Sequence, residues 1–309
     1  MSKSAHPCGV LFLDKPKGWT SRKAVNHVIH MFAKPEQKNR KQRPKAGHTG
    51  TLDPLATGML PILLGDATRF SEMGLNAEKS YEVSFDLSFQ TDTLDLEGEV
   101  LNRFDDADVS QAKVEETLAL FMGKIQQIPP VYSAIRVDGQ RAHKMARKGE
   151  EVLMQAREVE VKSIKLLAIE GSVITLSVDC TKGTYIRSLA RDIGATLGLG
   201  GCVIALRRTS TGGWAAEMMV SIEELEEKKE NCILPLQMWL RALTGVALNE
   251  LEAKRFVQGQ RLLMTGDVQG NDLCCVTYNS WVLGSATFDA DKRVLQPDRV
   301  LPSAQEMLK

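Results

Sequence analysis

The stretch AGHTGTLDPLATGMLP, from Ala46 to Pro61, is the most unusual part of the sequence. Gly47 and Gly50 relax the backbone early in this stretch, and Pro54 directly follows Asp53. An Asp-Pro pair before an apolar run is typical of a helix start, with Asp as the N-cap and Pro at the first helical position. The sequence therefore predicts a glycine-rich loop that leads into a helix at Asp53.

Asp53 has two interpretations, and they are compatible. A lone Asp-Pro pair is most often only a helix cap. A carboxylate that is fixed on such a loop and kept ionised by a helix N-terminus is also what covalent catalysis by aspartate requires. Asp53 is therefore a candidate nucleophile.

Hydrophobic periodicity predicts the elements on either side of this stretch. Strands and helices are mixed without strict βαβ alternation, so we expect an α+β fold with a mixed, largely antiparallel sheet flanked by helices. The predicted elements are a strand at 9–13, a helix from Thr20 or Ser21 to about Ala33, a strand at 81–89, a helix at 110–122, a hairpin of strands 158–169 and 172–180, and a helix at 184–197.

The C-terminal part of the chain has a different pattern. A boundary near Arg241 to Val246 divides the sequence into predicted domains 1–243 and 244–309. Beyond it we expect a helix at 250–256 and short strands such as 274–278 and 281–288. A β-rich module of about 60 residues is too small to hold much of a catalytic cleft.

Composition limits the class of protein. The 309 residues are 43% hydrophobic, which is enough for a substantial core in one or two domains. No apolar run approaches the length of a membrane span, and Asp14 and Lys15 end the first apolar run too early for a signal peptide. The six cysteines are scattered without a C-x-x-C pair, which is typical of a reduced, cytoplasmic protein.

Charge is balanced overall but unevenly distributed. The chain has 39 basic and 39 acidic residues, yet basic residues concentrate in Lys34–Lys45 and in Arg136–Lys148. Either run alone is as consistent with a solvated loop as with a binding surface. Together, they could present a basic face to phosphate even though the total charge cancels.

Several motifs together resemble one family. The stretch GHTGTLDPLATGML is similar to the catalytic motif of the bacterial tRNA pseudouridine-55 synthases, the TruB-type enzymes. The resemblance covers most of residues 9 to 214 in the family's order. The other motifs are GVLFLDKPKGWTS (9–21), KSYEVSFDLSFQTDTLDLEGEV (79–100), QIPPVYSAIRVDGQRAHKMARKGE (127–150), CTKGTYIRSLARDIG (180–194) and GCVIALRRTSTGGW (201–214).

The resemblance implies catalytic roles for three residues. Asp53 lies where the family has its nucleophile, and Arg187 resembles the arginine partner of that aspartate. A guanidinium there would orient the carboxylate and favour its charged form. Tyr81 matches the tyrosine that stacks on the target base and is a candidate relay for the C5 proton. Considered alone, Arg187 could equally be a helix-surface arginine and Tyr81 an ordinary strand aromatic.

Further residues match the family's substrate-binding positions. His48 resembles the histidine that fills the space left by the extruded base. Tyr185 and Leu206 match residues that line the uridine pocket. Lys15, beside Pro16, matches a lysine that is either structural or phosphate-facing.

The implied reaction is the isomerisation of uridine to pseudouridine at position 55 in the T-arm of tRNA. It breaks the C–N glycosidic bond, turns the base and joins C5 to the sugar, so it needs no cofactor, redox partner or energy input. The sequence accordingly has no P-loop, no convincing dinucleotide fingerprint and no metal-ligand cluster. Attack at the anomeric carbon and attack at C6 of the base both stay open.

Two regions depart from the family pattern. The basic insertion at 34–45 is longer than the usual link, and we interpret it as an added phosphate contact beside the catalytic loop. The C-terminal module matches weakly, and its position suggests a PUA-like RNA-binding domain. Two other functions remain possible: an RNA chaperone that uses the same surface, and a relative that works in a guide-RNA particle. Compact chain ends favour a monomer that acts alone on tRNA, away from membranes.

Overall fold

The computed structural model describes residues 7–34, 36, 39, 42–105, 107–137, 139–264 and 273–309, without the side chain of His143. The predicted basic insertion at 34–45 falls partly outside these ranges. Its residues Pro35, Gln37, Lys38, Arg40 and Lys41 are not described. The phosphate contact that we expect from this insertion therefore stays a prediction.

Strands dominate the described ranges. They are β1 (Gly9–Lys15), β2 (Ala46–His48), β3 (Thr57–Leu64), β4 (Lys79–Asp86), β5 (Phe89–Thr91), β6 (Val100–Arg103), β7 (Gly123–Gln127), β8 (Arg136–Val137), β9 (Gln140–Arg141), β10 (Arg157–Glu170), β11 (Val173–Cys180), β12 (Cys202–Thr211), β13 (Thr244–Ala247), β14 (Leu262–Leu263), β15 (Leu273–Tyr278), β16 (Trp281–Asp289) and β17 (Val294–Val300).

Helices flank these strands. They are α1 (Ser21–Phe32), α2 (Ser71–Asn76), α3 (Gln111–Ala119), α4 (Ala142–Ala146), α5 (Ile186–Thr196), α6 (Ile222–Lys228), α7 (Leu236–Trp239), α8 (Glu250–Val257) and α9 (Pro302–Met307). Short 3-10 turns cover Gly65–Phe70, Ala216–Met218 and Lys229–Cys232. No helix in these parts of the chain is long and apolar enough to cross a bilayer.

Eight strands form the main sheet. Its order is β1-β3-β12-β4-β11-β10-β7, with β2 paired to β3. Only the β3–β12 pair is parallel among these neighbours, and the others are antiparallel. The predicted α+β class with a largely antiparallel sheet is therefore confirmed.

Strands β1 and β3 are buried on both faces, which explains why their sequences are almost continuously apolar. In β1, Leu11 and Leu13 belong to one core cluster with Val25 of α1. The alternate residues Val10 and Phe12 belong to a second cluster on the opposite face. The main sheet is thus the middle layer between helices and the C-terminal elements.

Local sequence signals place several elements as expected. The predicted helix from Thr20 or Ser21 is α1, and the Thr20 hydroxyl accepts a hydrogen bond from Lys23 N. The hairpin β10–β11 turns at Gly171, whose φ of +58° lies in the left-handed region that favours glycine. These elements depend on contacts that are close in sequence, which is why the pattern predicts them.

The prediction of a helix that starts at Asp53 is wrong. Residues 53–56 form a turn in which Ala56 N donates to Asp53 O over 3.1 Å, and β3 begins at Thr57. Proline at the second position of a β-turn has the same fixed φ as proline at a helix start. The eight-residue apolar run that follows fits a buried strand as well as a helix, so periodicity alone could not decide between them.

The C-terminal residues form a second sheet in the order β13-β15-β16-β17-β14. Apolar residues of this region, such as Phe256 of α8 and Leu283 of β16, share the second core cluster with Phe12 of the main sheet. Polar contacts cross the same junction: Arg299 Nη2 lies 2.8 Å from Glu72 Oε2. The β-rich C-terminal element is confirmed, and it packs on the main sheet through a continuous core.

Candidate active site

A cleft of about 1120 Å³ opens where α1, the 46–56 loop and the start of α5 meet. It brings together three of the predicted site residues, which are His48, Asp53 and Arg187. Other residues that line it are Arg22, Asn26, Asp92, Asp95, Glu97, Glu99, Tyr132, Arg141 and Arg147.

The backbone of the loop that carries Asp53 is fixed by hydrogen bonds to residues around the start of α1. Ser21 Oγ donates to Leu52 O over 2.9 Å and accepts from Leu52 N over 2.7 Å. Gly18 N donates to Pro54 O over 2.8 Å. The Asp53 side chain is 35% exposed and lines the cleft. A rigid loop thus presents a reachable carboxylate.

Arg187 lies in the first turn of α5 with only 5% of its side chain exposed. Its Nε is 2.9 Å from Asp53 Oδ2, although the N–H direction does not meet hydrogen-bond geometry, so the contact is an ion pair. Nη1 donates to Thr93 O over 2.7 Å, and Nη2 donates to Tyr132 O over 3.0 Å. The guanidinium is therefore held from three directions beside the carboxylate.

Asp95 is a second carboxylate at this arginine, and the sequence analysis did not single it out. Its Oδ2 lies 3.5 Å from Arg187 Nη1, and the residue is 3% exposed. Its Oδ1 accepts from the Thr93 hydroxyl over 2.6 Å and from Glu97 N over 3.0 Å. An aspartate in an acidic loop gives no sequence signal of such burial.

Tyr81 and Leu206 lie in the main sheet and belong to the buried core beside the cleft, each 8% exposed. Tyr81 of β4 is directly opposite Arg208 of β12. Burial raises the pKa of the Tyr81 phenol, and the charge of Arg208 acts to lower it and partly offsets this rise. The ring is therefore neutral at physiological pH and has a fixed orientation.

Arg208 is the other residue that sequence reasoning missed. It is 1% exposed, its Nε donates to Met59 O over 2.6 Å and its Nη2 donates to Gly50 O over 3.1 Å. It thus joins β3 to the loop that carries Asp53, and its charge lies near the Tyr81 phenol. The alternation of strand residues could have indicated that Arg207 and Arg208 face opposite ways, but not which one is buried.

Lys15 is fully buried, and its Nζ donates to Trp19 O over 2.6 Å and to Pro16 O over 3.0 Å. Burial lowers its pKa to about 8, partly offset by the Asp53 charge. Of the two interpretations from the sequence, this placement favours the structural one, because a fully buried ammonium cannot face a phosphate.

His48 lines the cleft with a defined tautomer. Its Nδ1 accepts from Gly50 N over 3.3 Å, so the ring proton is on Nε2. Burial, and then the charge of Arg208, lower the pKa of His48. The imidazole is therefore neutral at pH 7.

Tyr185 is the N-cap residue of α5 and is half-buried. Its ring does not line the cleft and instead lies under the guanidinium of Arg157, 4.8 Å from the ring centroid. Of the predicted site residues, His48, Asp53 and Arg187 thus share the cleft, while Lys15, Tyr81, Tyr185 and Leu206 lie outside its lining.

The cleft has charges of both signs. Asp92, Glu97 and Glu99 follow β5 on one side, whereas Arg141 and Arg147 come from the segment between β7 and β10. Burial, and then the charges of Asp95 and Asp53, raise the pKa of Glu97. The arrangement offers a partly exposed carboxylate beside a fixed arginine, together with cations that could contact a polyanion.

Comparison with known proteins identifies the family of the chain. The family described as "TruB family pseudouridylate synthase (N terminal domain)" matches residues 37–186, and "tRNA pseudouridylate synthase B C-terminal domain" matches residues 187–242.

Relatives that are called "tRNA pseudouridine synthase B" match most of the chain. The protein of Pseudomonas putida (strain GB-1) is 39% identical over 303 residues, 96% of each chain. That of Ralstonia pickettii (strain 12J) is 42% identical over 263 residues, 82% of this chain and 79% of the relative.

Solved structures share the fold. A chain in the "Crystal Structure of a Cbf5-Nop10-Gar1 Complex" aligns with a TM-score of 0.68 and 24% identity, covering 94% of this chain and 84% of that chain. A chain in the "Structure of H/ACA RNP bound to a substrate RNA containing 2'-deoxyuridine" aligns with a TM-score of 0.69 at the same identity, covering 95% and 84%. The family matches and the relatives together assign the sequence, so this chain belongs to the TruB family of pseudouridylate synthases.

Proposed function

We propose that this pseudouridylate synthase acts on the uridine at position 55 in the T-arm of tRNA, with the Asp53 carboxylate as the nucleophile. The observation that carries the proposal is the contact of Asp53 with Arg187 inside the cleft. Arg187 approaches Oδ2, which leaves Oδ1 available to attack.

The reaction is balanced without any other reagent. The carboxylate forms a bond to the anomeric carbon or to C6 of the base, and the glycosidic C–N bond breaks. The base turns, C5 bonds to the sugar, and the carboxylate is released. C5 loses one proton and N1 gains one, so the product is an isomer. Tyr81 is our candidate for the residue that stacks on the base and relays the C5 proton.

The target base must leave the helical stack to reach Asp53. Extrusion costs a few kcal/mol, and stacking on an aromatic ring returns about 1–3 kcal/mol. We propose that the extruded uridine reaches beyond the lining of the cleft to Tyr81, Tyr185 and Leu206, and that His48 fills the space that it leaves. The cleft, at about 1120 Å³, is large enough for a nucleotide.

RNA contacts outside the base are assigned by charge. Arg22, Arg141 and Arg147 line the cleft and would meet phosphates. We propose that residues 244–309 form a PUA-like RNA-binding domain that packs on a catalytic domain of residues 1–243. Because one chain supplies every proposed catalytic residue, we propose a monomer that acts without a protein partner. We also propose that it acts in the cytoplasm.

Asp53→Asn tests the nucleophile. With a purified T-arm stem-loop, we expect an RNA Kd within about threefold of wild type and no pseudouridine, because the amide keeps the shape but cannot attack. Asp14→Asn is a matched control, because Asp14 also pairs with an arginine, over 2.7 Å, and is 30% exposed. That control should stay active.

The outcomes separate the candidate functions. Pseudouridine formation by Asp53→Asn would remove the nucleophile assignment. Full RNA-folding activity of wild type without pseudouridine formation would favour a chaperone. Product at a uridine other than position 55, or a need for a guide RNA, would contradict the proposed substrate.

A further inference from the structure

Two paired residues stand where the chain leaves the main sheet and returns to it. β7 ends at Gln127, β10 begins at Arg157, and these two residues are direct cross-strand partners. The residues between them, the 128–156 segment, include Tyr132, Arg141 and Arg147 of the cleft. The Gln127–Arg157 pair therefore anchors both ends of this segment to the main sheet.

Gln127 caps helix α5 from the sheet. The Tyr185 side chain makes no capping hydrogen bond to α5. Gln127 is fully buried, its Oε1 accepts from Tyr185 N over 2.8 Å and its Nε2 donates to Tyr185 O over 3.1 Å. In a capping box, a side chain from the helix itself binds the N-cap N–H. Here, a strand residue does so instead.

Arg157 also contacts the start of α5, through the Tyr185 ring and the backbone of Gly183. Its guanidinium lies 4.8 Å from the Tyr185 ring centroid, and its Nη2 donates to Gly183 O over 2.6 Å. Gly183 has a φ of +86°, so the turn before α5 needs glycine. The backbone and the ring of Tyr185 are thus both fixed by the cross-strand pair.

The first turn of α5 carries this constraint to the nucleophile. Ser188 Oγ donates to Ile128 O over 2.9 Å, and Arg187 Nη2 donates to Tyr132 O over 3.0 Å. The start of α5 and the first residues of the 128–156 segment therefore hold each other. Arg187 reaches Asp53 from the middle of this contact.

We propose that Gln127 and Arg157 are positioning residues that set the start of α5, and with it the Arg187 guanidinium, so that Ile128, Tyr132 and Asp53 keep fixed positions around that guanidinium. This inference rests on the proposed role of Asp53. Neither residue touches the reacting atoms.

The test uses Gln127→Met, Arg157→Met and Arg157→Lys in the full chain. We expect the two methionine variants to lower the single-turnover rate at saturating stem-loop RNA by roughly tenfold or more, with the RNA Kd within about twofold. Arg157→Lys keeps a cation near the ring and should recover most of the rate. Lys124→Met is the control, because it breaks an exposed ion pair with Glu158 between the same two strands.

Two further measurements distinguish positioning from a general loss of structure. Gln127→Met should cost little additional rate in an Arg187→Lys background, because both changes disturb the same guanidinium. Deuterium uptake of the peptide that covers residues 183–192 should rise in Gln127→Met and not in Lys124→Met. If Gln127→Met fails to fold, the Arg157 variants supply the same comparison at a half-exposed site.

Several results would overturn the proposal: an unchanged rate, a weaker RNA Kd with an intact rate, an additive loss with Arg187→Lys, or unchanged deuterium uptake. Activity in Asp53→Asn would instead defeat the proposed function. The deuterium experiment does not depend on the nucleophile, so the two failures can be told apart.

Discussion

Arg187→Lys should separate the charge of this residue from its geometry. The guanidinium reaches Asp53 Oδ2 at 2.9 Å, Thr93 O at 2.7 Å and Tyr132 O at 3.0 Å. A lysine ammonium keeps the charge but cannot reach acceptors on three sides. Hydrogen bonds to a charged group contribute about 1.5–3 kcal/mol each. The loss of one or two such bonds therefore lowers the free energy of unfolding by about 1.5–6 kcal/mol.

Catalysis should suffer more than binding in this variant. A carboxylate that moves by about 1 Å loses about 100-fold in rate, while RNA contacts elsewhere keep the Kd within about threefold. Single-turnover assays, RNA titration and thermal unfolding would measure the three quantities. Arg207→Lys on β12 is the control, because Arg207 also pairs with an aspartate, Asp14, over 2.7 Å, is 40% exposed and lies outside the lining of the cleft. A near wild-type rate in Arg187→Lys would refute the idea that its geometry orients Asp53.

Three other predictions concern buried or partly buried groups. Tyr81→Phe keeps the ring but removes the hydroxyl that lies near the charge of Arg208; we expect a rate at least about tenfold lower at unchanged RNA Kd, and an unchanged rate would leave only the ring important. Because the pKa of His48 is lowered, its imidazole should be neutral and the RNA Kd should stay constant from about pH 7 to about 8. A loss of affinity as the pH rises over this range, absent in His48→Asn, would contradict this. Because burial lowers the pKa of Lys15 from 10.5 to about 8, the unfolded chain binds more protons than the folded chain between these values. The difference in free energy of unfolding between wild type and Lys15→Met should therefore rise in favour of wild type as the pH rises from about 8 to about 10. Chemical denaturation at several pH values would measure this difference, and a difference that does not change with pH would contradict the prediction.

The sequence predicted the elements whose signals are local. The helix from Ser21 to Phe32 has its cap and its apolar face within one segment, and the β10–β11 hairpin has its turn at Gly171. In each case the deciding contacts join residues a few positions apart. Periodicity and turn chemistry therefore give enough information.

The unpredicted features depend on contacts between distant residues. Arg208 is held by Met59 O, and Gln127 is held by the backbone of Tyr185. No local pattern distinguishes Arg208 from Arg207, although Arg207 instead pairs with Asp14 at 2.7 Å with a side chain 40% exposed. Which arginine is buried depends on how β12 pairs with β4, and that pairing is a property of the folded chain.

The turn at Asp53 changes the electrostatic argument for the nucleophile. A helix start would have supplied aligned N–H groups and a partial positive charge through the backbone alone. The turn gives no such dipole, because residues 53–56 are followed by a strand. Nearby positive charge instead comes from side chains: from Arg187, which α5 and Tyr132 hold in place, and from Lys15, whose pKa burial lowers and the Asp53 charge partly restores. The positive charge that Arg187 places beside the Asp53 carboxylate can therefore be removed by substituting a side chain. Its position depends on how the start of α5 is fixed.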